Sequence, residues 1–429
     1  MLEIDLTKQT SAIRVALSYR DFRRYALGRF LATIAWQMLG VAVGWQVYSI
    51  TNDPLDLGLV GLAQFLPFLA LVLPGGHLAD RYDRRKVMVC AYLIETLCAA
   101  VLIFFTLSGL NKVWPVFVAM ALFGAGRAFW MPAGQAMAVN LVPAAVFPSA
   151  VAANAFLFEA AVITGPALGG ILYAIGDGLL INISGALLVY TLSLGLLISV
   201  VILLFGIRPM PNLPTKKNFS LYEFTEGLRF VMNRKILLGA ISLDLCAVLF
   251  GGATALLPMF AADILNVGTV GLGILRSSPA IGAGIMGLAL TYRPITRHVG
   301  GWMFGGVVVY GLGTIAFGAS DIFWVSCLAL FIIGAGDMLS VFVRQLLVQL
   351  ETPDEIRGRV SAVSSMFIGA SNELGEFESG LTASWWGPVR AVVIGGSACL
   401  ISVGLYLKIF PQLRTLDHFP ERNTQVAKN

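Results

Sequence analysis

Apolar residues in this chain come in long unbroken runs separated by short polar punctuation, and the runs exceed what strands or surface helices of a water-soluble fold require. Reading between charges and Gly/Pro breaks gives runs near 26–50, 56–79, 87–108, 113–136, 150–173 and 180–206. A second set follows near 236–262, 270–292, 299–319, 321–349, 359–384 and 388–410. Each is close to the roughly 20 residues that an α-helix needs to cross a bilayer. The pattern predicts an all-α polytopic membrane protein with twelve transmembrane helices. The longest polar stretch, 207–235, separates the two sets. It begins with Pro209, Pro211 and Pro214 and continues as a helical pattern, with Ser220 and Glu223 spaced as a capping box and Leu221, Phe224, Leu228 and Val231 on one face. Such a helix is expected to lie on the cytoplasmic membrane surface. The predicted organisation is therefore an N-tail (1–25), a six-helix bundle (26–206), a linker (207–235), a second six-helix bundle (236–410) and a C-tail (411–429).

Composition agrees with burial in lipid. Of 429 residues, 57% are hydrophobic and 12% charged, against about 25% charged in soluble domains. The net charge of +5 comes with no dense basic run interleaved with aromatics, which argues against nucleic acid as a partner. With the N-terminus placed inside, 23 of the 29 Lys and Arg fall in inner loops and tails and two in outer loops. That asymmetry predicts cytoplasmic termini. Arg20, Arg23 and Arg24 precede the first run, as expected of an uncleaved start helix. The five cysteines lie in apolar runs without a CxxC pair, so neither a disulfide framework nor a zinc site is expected. No HExxH, GxSxG or GxxxxGK[ST] pattern occurs, and the three histidines are scattered. An enzyme and an ATP-driven pump are therefore disfavoured, and no metal or cofactor is expected.

The two sets of runs look like copies. A shift of 210 residues places GAGRAFWMPAGQ (Gly124 to Gln135) on GAGDMLSVFVRQ (Gly334 to Gln345), and Gly165 and Gly170 on Gly375 and Gly380. With six runs per half, this favours two pseudo-symmetric six-helix bundles.

Two motifs carry more. Between runs two and three lies GGHLADRYDRRKVMV, in which Asp80 can face a helix N-terminus, four basic residues hold the loop at the inner face, and Gly75 and Gly76 permit close helix approach. Run five contains Gly165, Pro166, Gly169 and Gly170, a pattern for a kinked, tightly packed helix interface. The first motif, read from Gly76 through Asp80, Arg81, Arg84 and Arg85 to Lys86, resembles the loop 2–3 motif of the major facilitator superfamily. It departs at Asp83, where that family usually has glycine; Asp83 is expected to pair with Arg84 or Arg85. The run-five pattern is similar to that of antiporters and exporters in the superfamily. The stretches 242–258, 271–283 and 343–380 resemble the branch of bacterial enterobactin (siderophore) exporters and related drug efflux proteins. The resemblance implies a secondary transporter of the bacterial inner membrane, with the loop 2–3 residues gating its cytoplasmic side.

Charges inside the apolar runs are expensive and become functional candidates. They are Glu95, Arg127, Glu159, Asp244, Arg276, Asp337, Arg344, Glu373, Glu376 and Glu378, with Arg29 at an edge. Seven carboxylates face four arginines, which leaves three that must be protonated or hydrated. That surplus points to proton coupling. By depth, Glu95, Glu159, Asp244, Arg127 and Asp337 fall near one central level, with Arg276, Glu376 and Glu378 nearer the outer end. Arg276 is expected to form an outer ion pair with one of these glutamates. Glu373 and Glu376 share a helix face while Glu378 points away, so the three cannot line one cavity. Arg344 is expected to pair with Asp337, seven residues before it on the same face. Asp244 and one of Glu373 or Glu376 are the leading proton or substrate residues.

The sequence thus predicts a monomeric, proton-coupled exporter of a small amphipathic molecule. Import of a small metabolite or siderophore, and a non-transporting membrane sensor, remain as alternatives.

Overall fold

The apolar runs fold as helices in a computed structural model that describes residues 14–110, 112–178, 183–209, 221–353 and 356–420, with the side chains of 221–224 and 362 outside the description. The helices are α1 (Arg20–Thr51), α2 (Pro54–Arg81), α3 (Arg84–Leu107), α4 (Trp114–Ala138), α5 (Phe147–Gly176) and α6 (Gly185–Phe205). The short α7 (Leu221–Asn233) follows, then α8 (Lys235–Phe250), α9 (Gly268–Tyr292), α10 (Val299–Ala319), α11 (Phe323–Glu351), α12 (Arg357–Trp386), α13 (Pro388–Ile409) and the single turn α14 (Pro411–Arg414).

Local chemistry sets the boundaries. Asp53 accepts a hydrogen bond from the Leu55 amide at 2.9 Å and Pro54 occupies the first turn, so α2 starts there. Asp83 caps α3 in the same way through the Arg85 amide at 3.0 Å. This explains the carboxylate at a position where glycine is usual, and its side chain also lies 3.9 Å from Arg85. Asn52, in the left-handed region at φ 51°, closes α1 by donating to the Tyr48 carbonyl.

Where twelve transmembrane helices are predicted, eleven among the described residues are long and apolar enough to cross a membrane. The exception is α12, a 30-residue helix carrying Glu373, Glu376 and Glu378. The seventh run departs from a simple helix as well. After α8 the chain passes Gly251 and Gly252, takes a 3-10 turn (Ala253–Leu256), and continues through a π-helical stretch (Phe260–Ile264). The Gly251 carbonyl at this break accepts the Ala253 amide at 2.7 Å and the Tyr310 hydroxyl of α10 at 3.1 Å. The proposed surface helix is present as α7, while Ser220 of its capping box lies outside the described residues. In α7, Gly227 sits against the Arg359 backbone and Glu226 pairs with the Arg359 guanidinium.

The chain divides into two compact units, Met1–Asn218 with Asn266–Ser277, and Phe219–Leu265 with Ser278–Asn429. The division therefore cuts through α9, a boundary that a linker-based reading does not show. In the first unit, α2 packs on α4, α1 on α5 and α6, and α3 on α4 and α6. Phe22, Tyr25, Met88, Tyr92, Met137 and Leu197 lie in its core. In the second, α10 packs on α11 and α13, and α8 packs on α12 and α13.

Glycines mark matching contacts inside each unit. A side chain at Gly124 would strike the Gln64 backbone of α2, and one at Gly334 would strike the Pro279 backbone of α9. Gly126 faces Ala91 and Glu95 of α3, whereas Gly336 faces Gly306 and Tyr310 of α10. Gly165 faces Gln37 of α1, and Gly375 faces Val248 and Leu249 of α8. Members of each pair stand 210 residues apart, so the sequence repeat is also a repeat of close helix approaches.

Candidate functional site

Each unit holds a buried polar core. In the first, Glu95 projects from α3 and is 2% exposed. Its carboxylate accepts the indole N–H of Trp130 (α4) at 2.6 Å, and its stem lies over Gly126. Trp130 stacks on Tyr92, one turn before Glu95, with centroids 5.8 Å apart and planes 13° from parallel. The Arg29 guanidinium stands 5.9 Å from the Trp130 ring and donates to the Tyr25 hydroxyl, which in turn donates to the Gly134 carbonyl at 2.8 Å. One turn along α4 from Trp130, Arg127 lies 4.9 Å from the Phe68 ring centre and 5.6 Å from that of Trp36, a cation–π arrangement. Glu159 is half-buried on α5.

In the second unit, Asp244 of α8 is 4% exposed and Arg344 of α11 is 2% exposed. They lie 3.2 Å apart, and Ser340 donates to the other carboxylate oxygen of Asp244 at 2.7 Å. Arg344 donates onward to Ser364 of α12 at 3.1 Å. The expected Arg344–Asp337 pairing is therefore replaced by a pairing across helices. Seven residues along one helix separate two side chains by about 10 Å, and Asp244 on α8 is within direct reach. Asp337 remains half-buried in the electrostatic neighbourhood of both. Glu373 is 8% exposed, and Glu376 and Glu378 are half-buried.

The motif residues have distinct settings. Gly75 is pressed against the Ala128 backbone, whereas a side chain at Gly76 would meet nothing within 4 Å, so only the first of the pair serves close approach. Arg84 donates to the Ala136 carbonyl near the end of α4 at 2.8 Å. Arg85 donates to the Ile207 carbonyl at 2.9 Å just past α6, where Arg24 also caps the Gly206 carbonyl. Cations at the ends of α4 and α6 complement the helix dipoles. Asp80 is half-buried and Arg81 exposed. In α5, Gly165 and Gly169 admit Gln37 and Met38 of α1, while Gly170 admits Thr269 and Gly273 at the start of α9. Arg276, in that same segment, donates to the Gly40 carbonyl of α1 at 3.0 Å.

A model of the transmembrane secretion effector family of the major facilitator superfamily matches residues 15–427. The chain belongs to that family. It is accordingly a major facilitator superfamily transporter and a multi-pass membrane protein. Similarity to individual members is spread over the whole length. The enterobactin exporter EntS of Escherichia coli (strain K12) is 26% identical over 429 residues, covering 98% of this chain and 99% of that one. The MFS-type transporter YfiS of Bacillus subtilis (strain 168) is 27% identical over 391 residues, covering 86% and 88%. The superfamily fold is also seen in a bacterial homologue of the human lysosomal transporter Spinster, with a TM-score of 0.72 at 14% identity over 92% of this chain and 96% of that one. A bacterial homologue of the iron transporter ferroportin gives 0.70 at 16% identity over 92% and 99%.

Within this transporter, sequence reasoning named Glu95, Asp244 and Arg344 but not the residues that hold them. Trp130, Tyr92 and Ser364 were missed. A helical-spacing signal existed for the first two: Tyr92 and Glu95 are three apart, as are Arg127 and Trp130, so each pair shares a face.

Proposed function

We propose that this transporter is a proton-coupled exporter of a small amphipathic compound, a siderophore or drug-like molecule. It acts as a monomer in the bacterial inner membrane with both termini cytoplasmic. Twelve helices, α12 included, form two six-helix bundles that expose a binding site alternately to each side. Gly76, Asp80, Arg81, Arg84 and Arg85 gate the cytoplasmic side, and Gly165, Pro166, Gly169 and Gly170 form the packing seam of α5.

The observation that carries the coupling is Glu95. It is buried in a membrane helix with one indole N–H as its hydrogen-bond donor. The cation that reaches it electrostatically is Arg127, whose guanidinium lies against the Phe68 and Trp36 rings. A charged carboxylate buried in a membrane helix is costly and a protonated one much less so, which suits a group that binds and releases a proton as water access changes. Asp244 contributes through its ion pair with Arg344, while Asp337, Glu373 and Glu376 supply further carboxyls in the second unit. Arg127 and Glu159 offer polar contacts in the first. Arg276 and Glu378 have structural roles, each within its own unit.

Export is supported by the full-length similarity to an enterobactin exporter and by the span-five motif. Inward termini are supported by the basic-residue asymmetry. The test uses everted membrane vesicles with an imposed pH gradient, challenged with enterobactin and with the amphipathic cation ethidium. A compound that accumulates in the vesicles is expected to dissipate the gradient. Accumulation without dissipation removes proton coupling, and accumulation only in right-side-out vesicles reverses the direction.

A further inference from the structure

The hydrogen bond that holds the Glu95 carboxyl comes from one aromatic side chain, and that side chain is itself embedded in a network. Trp130 donates to Glu95 at 2.6 Å, a short distance for an N–H donor. Its ring stacks on Tyr92, which is 1% exposed and rises from the same face of α3 as Glu95. Arg29 of α1 stands over the indole. A cation over an indole withdraws π-density and makes its N–H a better donor. Arg29 is steadied by Tyr25, and Tyr25 by the Gly134 carbonyl one turn further along α4. The path Glu95–Trp130–Arg29–Tyr25 thus ties α3, α4 and α1 together and returns to α4.

The titratable and charged groups facing Glu95 are few. Arg127 comes from α4, one turn from Trp130, and interacts with Glu95 electrostatically. Tyr92 and Cys98 come from α3 itself. Arg29 and Tyr25 come from α1 and reach Glu95 only through Trp130 and Tyr92. From α6, Tyr190 lies beyond Cys98 and is engaged elsewhere, donating to Gln46 at 2.7 Å. Cys98 and Tyr25 direct their hydrogen bonds elsewhere, Cys98 to the Ala119 carbonyl and Tyr25 to Gly134.

We infer that Trp130 is a positioning residue for proton coupling, its indole N–H fixing the Glu95 carboxyl and setting the pH at which that carboxyl exchanges its proton. This rests on the reading of Glu95 as a proton carrier. A donor to a carboxylate favours the charged form. Removing it while keeping a ring moves the exchange to higher pH, by about one pH unit for a hydrogen bond to a charged group.

The experiment needs no transported compound. Purified protein in lipid nanodiscs is titrated with pH and followed through the infrared C=O band of protonated carboxyls. Glu95→Gln identifies the Glu95 component by its loss. Trp130→Phe, which retains stacking on Tyr92, is expected to raise the midpoint of that component by about one unit and to move the band to higher frequency. A midpoint and frequency unchanged in Trp130→Phe overturn the role of Trp130 while leaving Glu95 as a proton carrier. If Glu95→Gln removes no titrating component, the proton-carrier reading fails and this inference with it.

A second measurement leaves Trp130 in place and so covers poor folding of Trp130→Phe. Tryptophan emission of the wild type is expected to step at the same midpoint, because the indole donates to a group that changes charge. That step is absent in Glu95→Gln. Emission that titrates identically in both proteins overturns the inference.

Discussion

Removing either member of the Asp244–Arg344 pair leaves a charge stranded in a membrane protein core, and the two removals are not equivalent. At 3.2 Å and an effective dielectric constant of about 20, the attraction is about 5 kcal/mol before desolvation is charged against it. Breaking a buried pair by deleting one partner costs about 3–5 kcal/mol. Asp244→Asn lies at the low end of that range. The amide still accepts from Ser340, Arg344 keeps its bond to Ser364, and Asp337 remains nearby as a counter-charge. Arg344→Met lies at the high end, because Asp244 then keeps only its Ser340 hydrogen bond and has Asp337 in its electrostatic neighbourhood. The double variant Asp244→Asn/Arg344→Met should recover most of the loss, since replacing a whole buried pair with apolar or neutral groups is often near neutral. In a unit of roughly 200 residues these costs correspond to a drop of about 10 °C in melting temperature. Thermal unfolding in nanodiscs, followed by intrinsic fluorescence with retention on gel filtration as a check, gives the ranking: wild type, double variant, Asp244→Asn, Arg344→Met. Equal losses in both single variants would remove Asp337 from the account. A double variant as unstable as the sum of the two singles would show that the residues are not coupled.

Three further outcomes follow from the same geometry. Gly75→Ala forces a methyl group into the Ala128 backbone and should cost about 1–3 kcal/mol, as overpacking does, whereas Gly76→Ala has open space and should fold as wild type; thermal stability of the two variants checks the contrast. Gly334→Val should disrupt the α9–α11 crossing as Gly124→Val disrupts α2–α4, measured as loss of the monodisperse peak, and tolerance of either one would break the equivalence of the two halves. At the surface, the His298 backbone amide holds the Asp417 carboxyl below the usual carboxylate range, assisted by His418, His298 and Arg297. A depressed folded value means that this contribution to tail docking is present above about pH 3.9 and is lost as pH falls through the lower folded value. Asp417→Asn should therefore speed amide exchange at Val299 and Gly300, which donate to the Asp417 and Leu416 carbonyls, at neutral pH as well.

Helix positions were legible because a span leaves a long apolar run and because Asp53, Asp83 and Gly/Pro breaks punctuate it. The repeat was legible as glycines 210 residues apart, and the structure shows why glycine is needed there: Gly124 and Gly334 each meet a neighbouring backbone. The anomaly of α12 was visible as three glutamates in one run. Partnerships were not legible. Asp244 and Arg344 lie on helices far apart in sequence, and nothing in the run of either says that α8 meets α11 at that level. The break in α8 had a local signal, Gly251-Gly252, but its consequence, a carbonyl offered to Tyr310, depends on where α10 packs. The Trp130–Glu95 bond was obscured because tryptophan in a membrane span is explained equally well by packing.

The polarity of α12 bears on how the chain is made. A helix such as α3 can partition into lipid as soon as it leaves the insertion machinery. One with Glu373 near its centre, costing on the order of 2.5–3.5 kcal/mol to insert if priced like a central aspartate, and with Glu376 and Glu378 further toward Trp386, enters less readily alone. Its ready companions are α13, translated immediately after it, and α8, already in place, and both pack on it in the folded unit. On the twelve-span reading, α12 is expected to enter the membrane together with α13. Biogenesis is then most exposed to failure in the interval when α12 has been synthesised and α13 has not.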